Sequence, residues 1–276
     1  MLRTMAAEAS STPFRVLPVP GLGRDVRVWG RKTRGRVHPL VLHFHGGSFT
    51  TGDLDSGAQL ATLMTGAGAV VASFDYPLAP QHRFPEAAEA GYAALEWLHR
   101  QRTTLAGRDA PLYVAGEEAG GNLAAAVAMM ARDRRHPPLA GQILVAPMLD
   151  PCTATPSLRD KLGEQVECRW AEGWQNYLRG PMDAEHPYAV PGRAQRLVDL
   201  PRTLVLTGAD DPMRDEAGAY ARRLRAAGVS VTCAMLEVPT GWPESLEQGP
   251  TDDCPCAGQA SCWLADFFQA PMPPPS

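Results

Sequence analysis

The chain has 276 residues, of which 45% are hydrophobic and 20% charged, and a net charge of −4. That balance fits a globular chain long enough to bury a full core. It excludes the clustered positive charge of a nucleic-acid binder, and no run approaches the ~18 apolar residues of a membrane helix.

The opening stretch MLRTMAAEASSTPFRV lacks an apolar signal core, which places the protein in the cytoplasm as an expectation. Short apolar runs then alternate with helical patterns. PLVLHFH (39–45), VVASF (70–74), LYVAG (112–116), QILVAP (142–147), TLVLTG (203–208) and VTCAML (231–236) read as strands buried on both faces. PEAAEAGYAALEWLHR (85–100) reads as a helix with Pro85 in its first turn. MRDEAGAYARRLRAAG (213–228) reads as a second, with Met213, Ala217, Tyr220, Leu224 and Ala227 on one face and Gly228 ending it.

The alternation implies an α/β fold: a mostly parallel central sheet with helices on both faces. One domain is expected over 1–270. Residues 148–200 break the rhythm with scattered Pro, Asp and Arg and with Trp170, Trp174, Tyr177 and Tyr188. They read as a small cap insertion or as surface helices packing their aromatics inward. The tail 271–276 (PMPPPS) reads as disordered. Six cysteines are too few to staple a chain of this length. The C-x-C-x5-C run at Cys254, Cys256 and Cys262 matches no common zinc spacing, so reduced cysteines are expected.

Chemistry concentrates in four motifs. Gly116-Glu117-Glu118-Ala119-Gly120 follows a strand and opens a helix, the setting in which hydrolases present Gly-x-Ser-x-Gly, but its central residue is glutamate. HFHGGSFTTGD (43–53) supplies consecutive glycines after a strand. DYPLAPQHRFP (75–85) leads from a strand into a helix, and LTGADDPMRDEAGAYARRLRAAGV (206–229) puts carboxylates at a strand end. Together, over residues 36 to 240, they resemble the hormone-sensitive-lipase branch of the α/β-hydrolase family.

The resemblance implies site residues. Gly46, Gly47 and the N–H of Ala119 match an oxyanion hole, which stabilises charge developing on a carbonyl oxygen. Ser48 stands where the family often has a third glycine. Asp211 matches the acid, with Asp210 as the competing choice. Glu118 holds the nucleophile's position. Thr240, in Thr240-Gly241-Trp242, holds the histidine's, and no histidine follows His186.

A carboxylate beside an oxyanion hole suits proton removal next to a carbonyl. The resulting expectation is a non-hydrolytic enzyme of specialised metabolism. It would perform elimination, isomerisation or cyclisation on a small carbonyl metabolite, with Glu118 and Asp211 catalytic. Glu117, Thr240 and Trp242 are expected to line the substrate. Two alternatives stay open: a carboxylate-nucleophile hydrolase, and a non-catalytic ligand binder like a plant hormone receptor of the family. His45 reads as a structural histidine, while His82 and His186 are pocket candidates. No metal and no organic cofactor are implied. The expected partner is a small-molecule substrate, with no nucleic acid, no membrane, and a homodimer as the open assembly.

Overall fold

The computed structural model describes residues 14–151, 155–162, 169–247 and 256–271. Eight strands form one sheet: β1 (Phe14–Val19), β2 (Arg24–Trp29), β3 (Leu40–Phe44), β4 (Val70–Phe74), β5 (Leu112–Glu117), β6 (Gly141–Val145), β7 (Thr203–Gly208) and β8 (Val231–Leu236). Their order is β1-β2-β4-β3-β5-β6-β7-β8. The pairs β1–β2 and β2–β4 are antiparallel and every later pair is parallel. The α/β expectation therefore holds. So do the six expected strands, within two residues at each end.

The helices are α1 (Ala58–Gly66), α2 (Glu86–Leu105), α3 (Ala119–Asp133), α4 (Pro156–Leu162), α5 (Arg169–Tyr177), α6 (Pro181–Ala184), α7 (Arg214–Ala226), α8 (Glu244–Glu247) and α9 (Ala257–Gln269). Alternation along the central strands sends Leu42, Phe44, Ala72 and Val114 to one face, under α2, α3 and α7. Val41, Val71, Tyr113 and Ala115 go to the other, under α1, α8 and α9. The alanine-rich α3, buried from Ala119 to Ala131, packs flat on the middle of the sheet. In α2, Glu86 and Glu89 sit in the first turn and Arg102 in the last, complementing the helix dipole.

Buried Arg202 joins the C-terminal helix to the sheet. It donates to the carbonyls of Ala140 (3.1 Å), Phe267 (2.7 Å) and Ala270 (3.1 Å) and to the Tyr113 hydroxyl (3.0 Å).

Two expectations need correction. β8 is an edge strand with Thr232, Cys233 and Met235 exposed, so it is not buried on both faces. The described residues of 148–200 hold helices α4 to α6 and no strand. Cys233 and Cys262 are free, but Cys256 is disulfide-bonded, against the expectation of reduced cysteines. Of the tail expected to be disordered, 271–276, residues 272–276 lie outside the described residues, as do Cys152, Cys168 and Cys254. No helix among the described residues is long and apolar enough to cross a membrane.

Candidate functional site

β5 ends at the centre of the sheet and the chain turns sharply into α3, leaving Glu118 at φ 52°, ψ −117°. This is the left-handed side of the map, costly for any side chain and retained where the surroundings fix it. Here the Glu118 N–H donates to Val145 O (3.1 Å), and its carbonyl accepts from the N–H groups of Met148 (3.0 Å) and Asn122 (3.3 Å). The turn therefore aims the 118 side chain at the loop that follows β3.

The carboxylate is buried and held at both oxygens. Oε2 accepts from the N–H groups of Gly47 (2.6 Å) and Ser48 (2.8 Å), with that of Ala119 at 3.5 Å. Oε1 accepts from the Ser48 hydroxyl (3.0 Å) and the Trp170 indole N–H (2.6 Å), and Arg169 approaches to 3.5 Å. A bare buried carboxylate would be strongly destabilising; these charge-assisted bonds offset that cost.

Two corrections follow in the loop. Gly46 is not a donor to this centre: its N–H points to Glu117 Oε1 at 3.3 Å. Ser48 replaces it, through both backbone and hydroxyl. Ser48 (φ 50°) and Phe49 (φ 65°) both hold left-handed backbone. Phe49 is clamped there by stacking on Tyr177 with ring centroids 4.0 Å apart, and by Trp174 at 5.1 Å. α5 reaches the loop because Gly173 lies against it; a Cβ at 173 would come within 2.4 Å of Ser48 O.

Glu117, expected to line the substrate, is turned away from Glu118. It points to the opposite side of the strand, where His43 Nε2 meets its Oε2 at 2.7 Å. His43 Nδ1 hydrogen-bonds the Ser73 hydroxyl (2.9 Å), which accepts from the Trp29 indole (3.1 Å). These side chains are sealed beneath the N-terminus of α1. There Gly57 has φ 72°, and a Cβ would stand 2.5 Å from Glu117 Oε1 and 2.6 Å from His43. Gly57→Ala is expected to cost about 1–3 kcal/mol of stability, read as a lower urea midpoint, because neither buried group has space to yield. An unchanged midpoint would show that the pair can shift.

The acidic end of β7 also differs from expectation. Asp210, not Asp211, meets Thr240. Its Oδ1 accepts from the Thr240 N–H (2.9 Å) and hydroxyl (2.9 Å), and its Oδ2 from the Gly241 N–H (2.8 Å). Asp211 is buried with Oδ1 accepting from the Met213 N–H (2.8 Å). Trp242, expected at the site mouth, is buried in the core under α8 and α9.

Partial burial raises the Asp210 carboxyl, but the donors from Thr240 and Gly241 outweigh it and leave the pKa below the ordinary 3.8. A depressed carboxylate contributes stability that is full above its unfolded pKa and lost as pH falls through the folded one. The stability advantage of the parent over Asp210→Asn should thus be flat above about pH 5 and shrink below 3.8. Thermal melts from pH 7 to 2.5 test this, and a pH-independent gap would contradict it.

His45 is structural, as expected. Burial lowers its pKa; Nδ1 contacts Gly46 O (2.7 Å), and the ring stacks on Tyr76 at 4.4 Å. His82 is bound to Glu86 (2.6 Å) on the surface, and His186 packs on Phe84. Among the described residues no group of three or more His, Cys, Asp or Glu is placed to hold a metal ion. Three surface cavities, of about 690, 440 and 230 Å³, are lined by other side chains than Glu118; the smallest touches Asp210 and Asp211.

A family model described as the alpha/beta hydrolase fold matches residues 41–238. The chain belongs to the α/β-hydrolase family. Within it, the resemblance to the hormone-sensitive-lipase branch holds. The chain is 36% identical over 197 residues to esterase LipI of Mycobacterium tuberculosis, covering 70% of this chain and 62% of LipI. It is 34% identical over 217 residues to gibberellin receptor GID1B of Arabidopsis thaliana, covering 74% of this chain and 60% of the receptor. A thermostable esterase from Pseudomonas putida ECU1011 superimposes with a TM-score of 0.82 at 29% identity, over 96% of this chain and 86% of that one. The chain thus spans less than two thirds of the length of these two sequence relatives.

The expectation of a lyase, isomerase or cyclase of specialised metabolism is overturned, since esterases recur among both the sequence relatives and the solved structures. Geometry gives a second reason. A general base needs a free lone pair within hydrogen-bond reach of the substrate proton. Both Glu118 oxygens already face donors from the loop and α5.

Arg169 is the site residue that sequence reasoning misses, and Trp170 is anticipated there only as a cap residue, beside Trp174. The one signal is the aromatic content of the insertion, which suggests Trp170 as a residue near the site without giving its partner.

Proposed function

We propose that this chain is a protein of the carboxylic-ester-hydrolase type whose acyl-binding cradle is filled by its own carboxylate. Glu118 stands where such enzymes carry the nucleophile, and Thr240 where they carry the histidine. The observation that carries this reading is the pair of short contacts from the Gly47 and Ser48 N–H groups to Glu118 Oε2. Donors in that position ordinarily receive the oxygen of an ester carbonyl as it gains charge. A carboxylate accepts more strongly than an ester carbonyl and is already tethered, so a substrate carbonyl has no means of displacing it.

Residues 148–200 act in this reading as a cap, with Trp170 closing the cradle from above. The substrate class of the framework is a small ester. Location in the cytoplasm stays a proposal, and the disulfide at Cys256 weighs against it, because thiols there are kept reduced; counting free thiols in protein taken from the cytosolic fraction decides. A homodimer is likewise proposed, to be read by light scattering.

Purified protein should therefore leave p-nitrophenyl acetate unhydrolysed above background and take no label from a fluorophosphonate probe. Turnover that co-elutes with the protein on size exclusion would refute the closed centre.

A further inference from the structure

The two oxygens of Glu118 are held by different kinds of donor, and the difference defines a ligand. Oε2 rests on the backbone N–H groups of Gly47 and Ser48. That set alone suffices for a single oxyanion. Oε1 has its own donors: the Ser48 hydroxyl and the Trp170 indole, with the Arg169 guanidinium at 3.5 Å. Two of these come from α5 rather than from the loop. The neighbouring carboxylate, Glu117, is turned away and engaged by His43 and the Gly46 N–H. What remains is a cradle of donors matched to a planar anion with two oxygens.

We propose that Gly47, Ser48, Arg169 and Trp170 form a binding site for small carboxylates, with Glu118 as its tethered occupant, and that the site takes free acetate once residue 118 loses its carboxyl group. The size match is close. Glu118→Ala removes Cγ and the carboxyl group, which are the heavy atoms of acetate. The proposal rests on the reading of this loop as an acyl-binding cradle. It concerns binding of an acid anion, however, and not turnover of an ester.

The test is thermal unfolding of Glu118→Ala and the parent in sodium acetate up to 100 mM, with chloride holding ionic strength constant. Glu118→Ala should show a rise in Tm that sets in at about 1–10 mM acetate and then grows with the logarithm of its concentration, the affinity range open to a four-atom ligand. The parent should show none. Adding Trp170→Phe should move that onset to about tenfold higher acetate, as loss of one charge-assisted donor implies. Benzoate, too large for the vacated volume, should not substitute.

No rise in folded Glu118→Ala, an equal rise in the parent, or equal stabilisation by benzoate would overturn the proposal. If Glu118→Ala fails to fold, Glu118→Gly relieves the left-handed backbone at 118 and takes its place. If both fail, Glu118→Ala is refolded in acetate and in chloride and the soluble protein is weighed; a higher yield in acetate supports the site and equal yields refute it. Ester turnover by the parent would sink the closed-centre reading while leaving acetate binding intact, so the two failures are separable.

Discussion

Replacing Glu118 by glutamine lowers the melting temperature by about 5–12 °C, the size expected for losing about 2–4 kcal/mol in a chain of this length. The amide keeps the shape of the carboxylate but has one acceptor where there were two. If its oxygen stays on the Gly47 and Ser48 N–H groups, its NH2 faces the Trp170 indole and Arg169, which are donors themselves. The Ser48 hydroxyl can rotate to accept; the indole cannot. The reverse placement sets NH2 against two backbone donors, which is worse. Glu118→Asp is expected to be as costly, since it withdraws the carboxylate by one methylene from contacts as short as 2.6 Å. Differential scanning calorimetry on the three proteins decides. An unchanged Tm in both variants would mean that the cradle does not depend on its carboxylate.

The second large effect is a gain. Glu118→Ser alone should hydrolyse p-nitrophenyl acetate no faster than the parent, because a serine without a base is a weak nucleophile. Glu118→Ser combined with Thr240→His should exceed the single variant by about 10²–10⁴-fold, the range of general-base assistance. The motivation is the carboxylate already beneath residue 240: Asp210 accepts from the Thr240 N–H and hydroxyl and from the Gly241 N–H. A histidine there would find an acid to orient its ring. Steady-state rates with Asp210→Asn added provide the control. If the double variant is as inert as the single one, the assignment of Thr240 to the histidine's place fails.

How legible the molecule is depends on the scale of the feature. VVASF and TLVLTG are strands with the bounds read from sequence, because uninterrupted apolar runs at the centre of a parallel sheet have no other use. β1 and β2 escape such a reading. FRVLPV and RDVRVW mix charge with apolar residues and so resemble loops, although β1 is mostly exposed and β2 is buried from Val26 to Trp29, Arg27 included. α9 escapes it too, since the cysteines around AGQASCWLADFFQ invite a test of metal spacing and mask its helical period.

At the site, sequence locates Glu118, Gly47 and the turn. It cannot show which way a side chain of three rotatable bonds will lean. Glu117 and Glu118 are neighbours of one type, yet Glu117, the last residue of β5, meets His43, while the sharp turn at Glu118 aims the other carboxylate at Ser48. Asp210 and Asp211, in the turn after β7, likewise take different partners, Thr240 and the Met213 N–H. Trp170 is 52 positions from Glu118, and only the close approach allowed by Gly173 brings them together.

The Arg202 clamp has a consequence for synthesis. α9 follows every strand in chain order, yet it covers Tyr113, Ile143 and Leu204 on one face of the sheet. As the chain leaves the ribosome from its N-terminal end, the face under α2, α3 and α7 is complete before α9 has emerged. During that interval Arg202 has its carbonyl partner at Ala140 but not those at Phe267 and Ala270. The nascent chain thus presents a half-covered sheet, apolar on its open side, for as long as translation of the last segment takes. A chaperone that binds exposed apolar strands has its target there, and a ribosome stalled before residue 257 would hold the chain in that state.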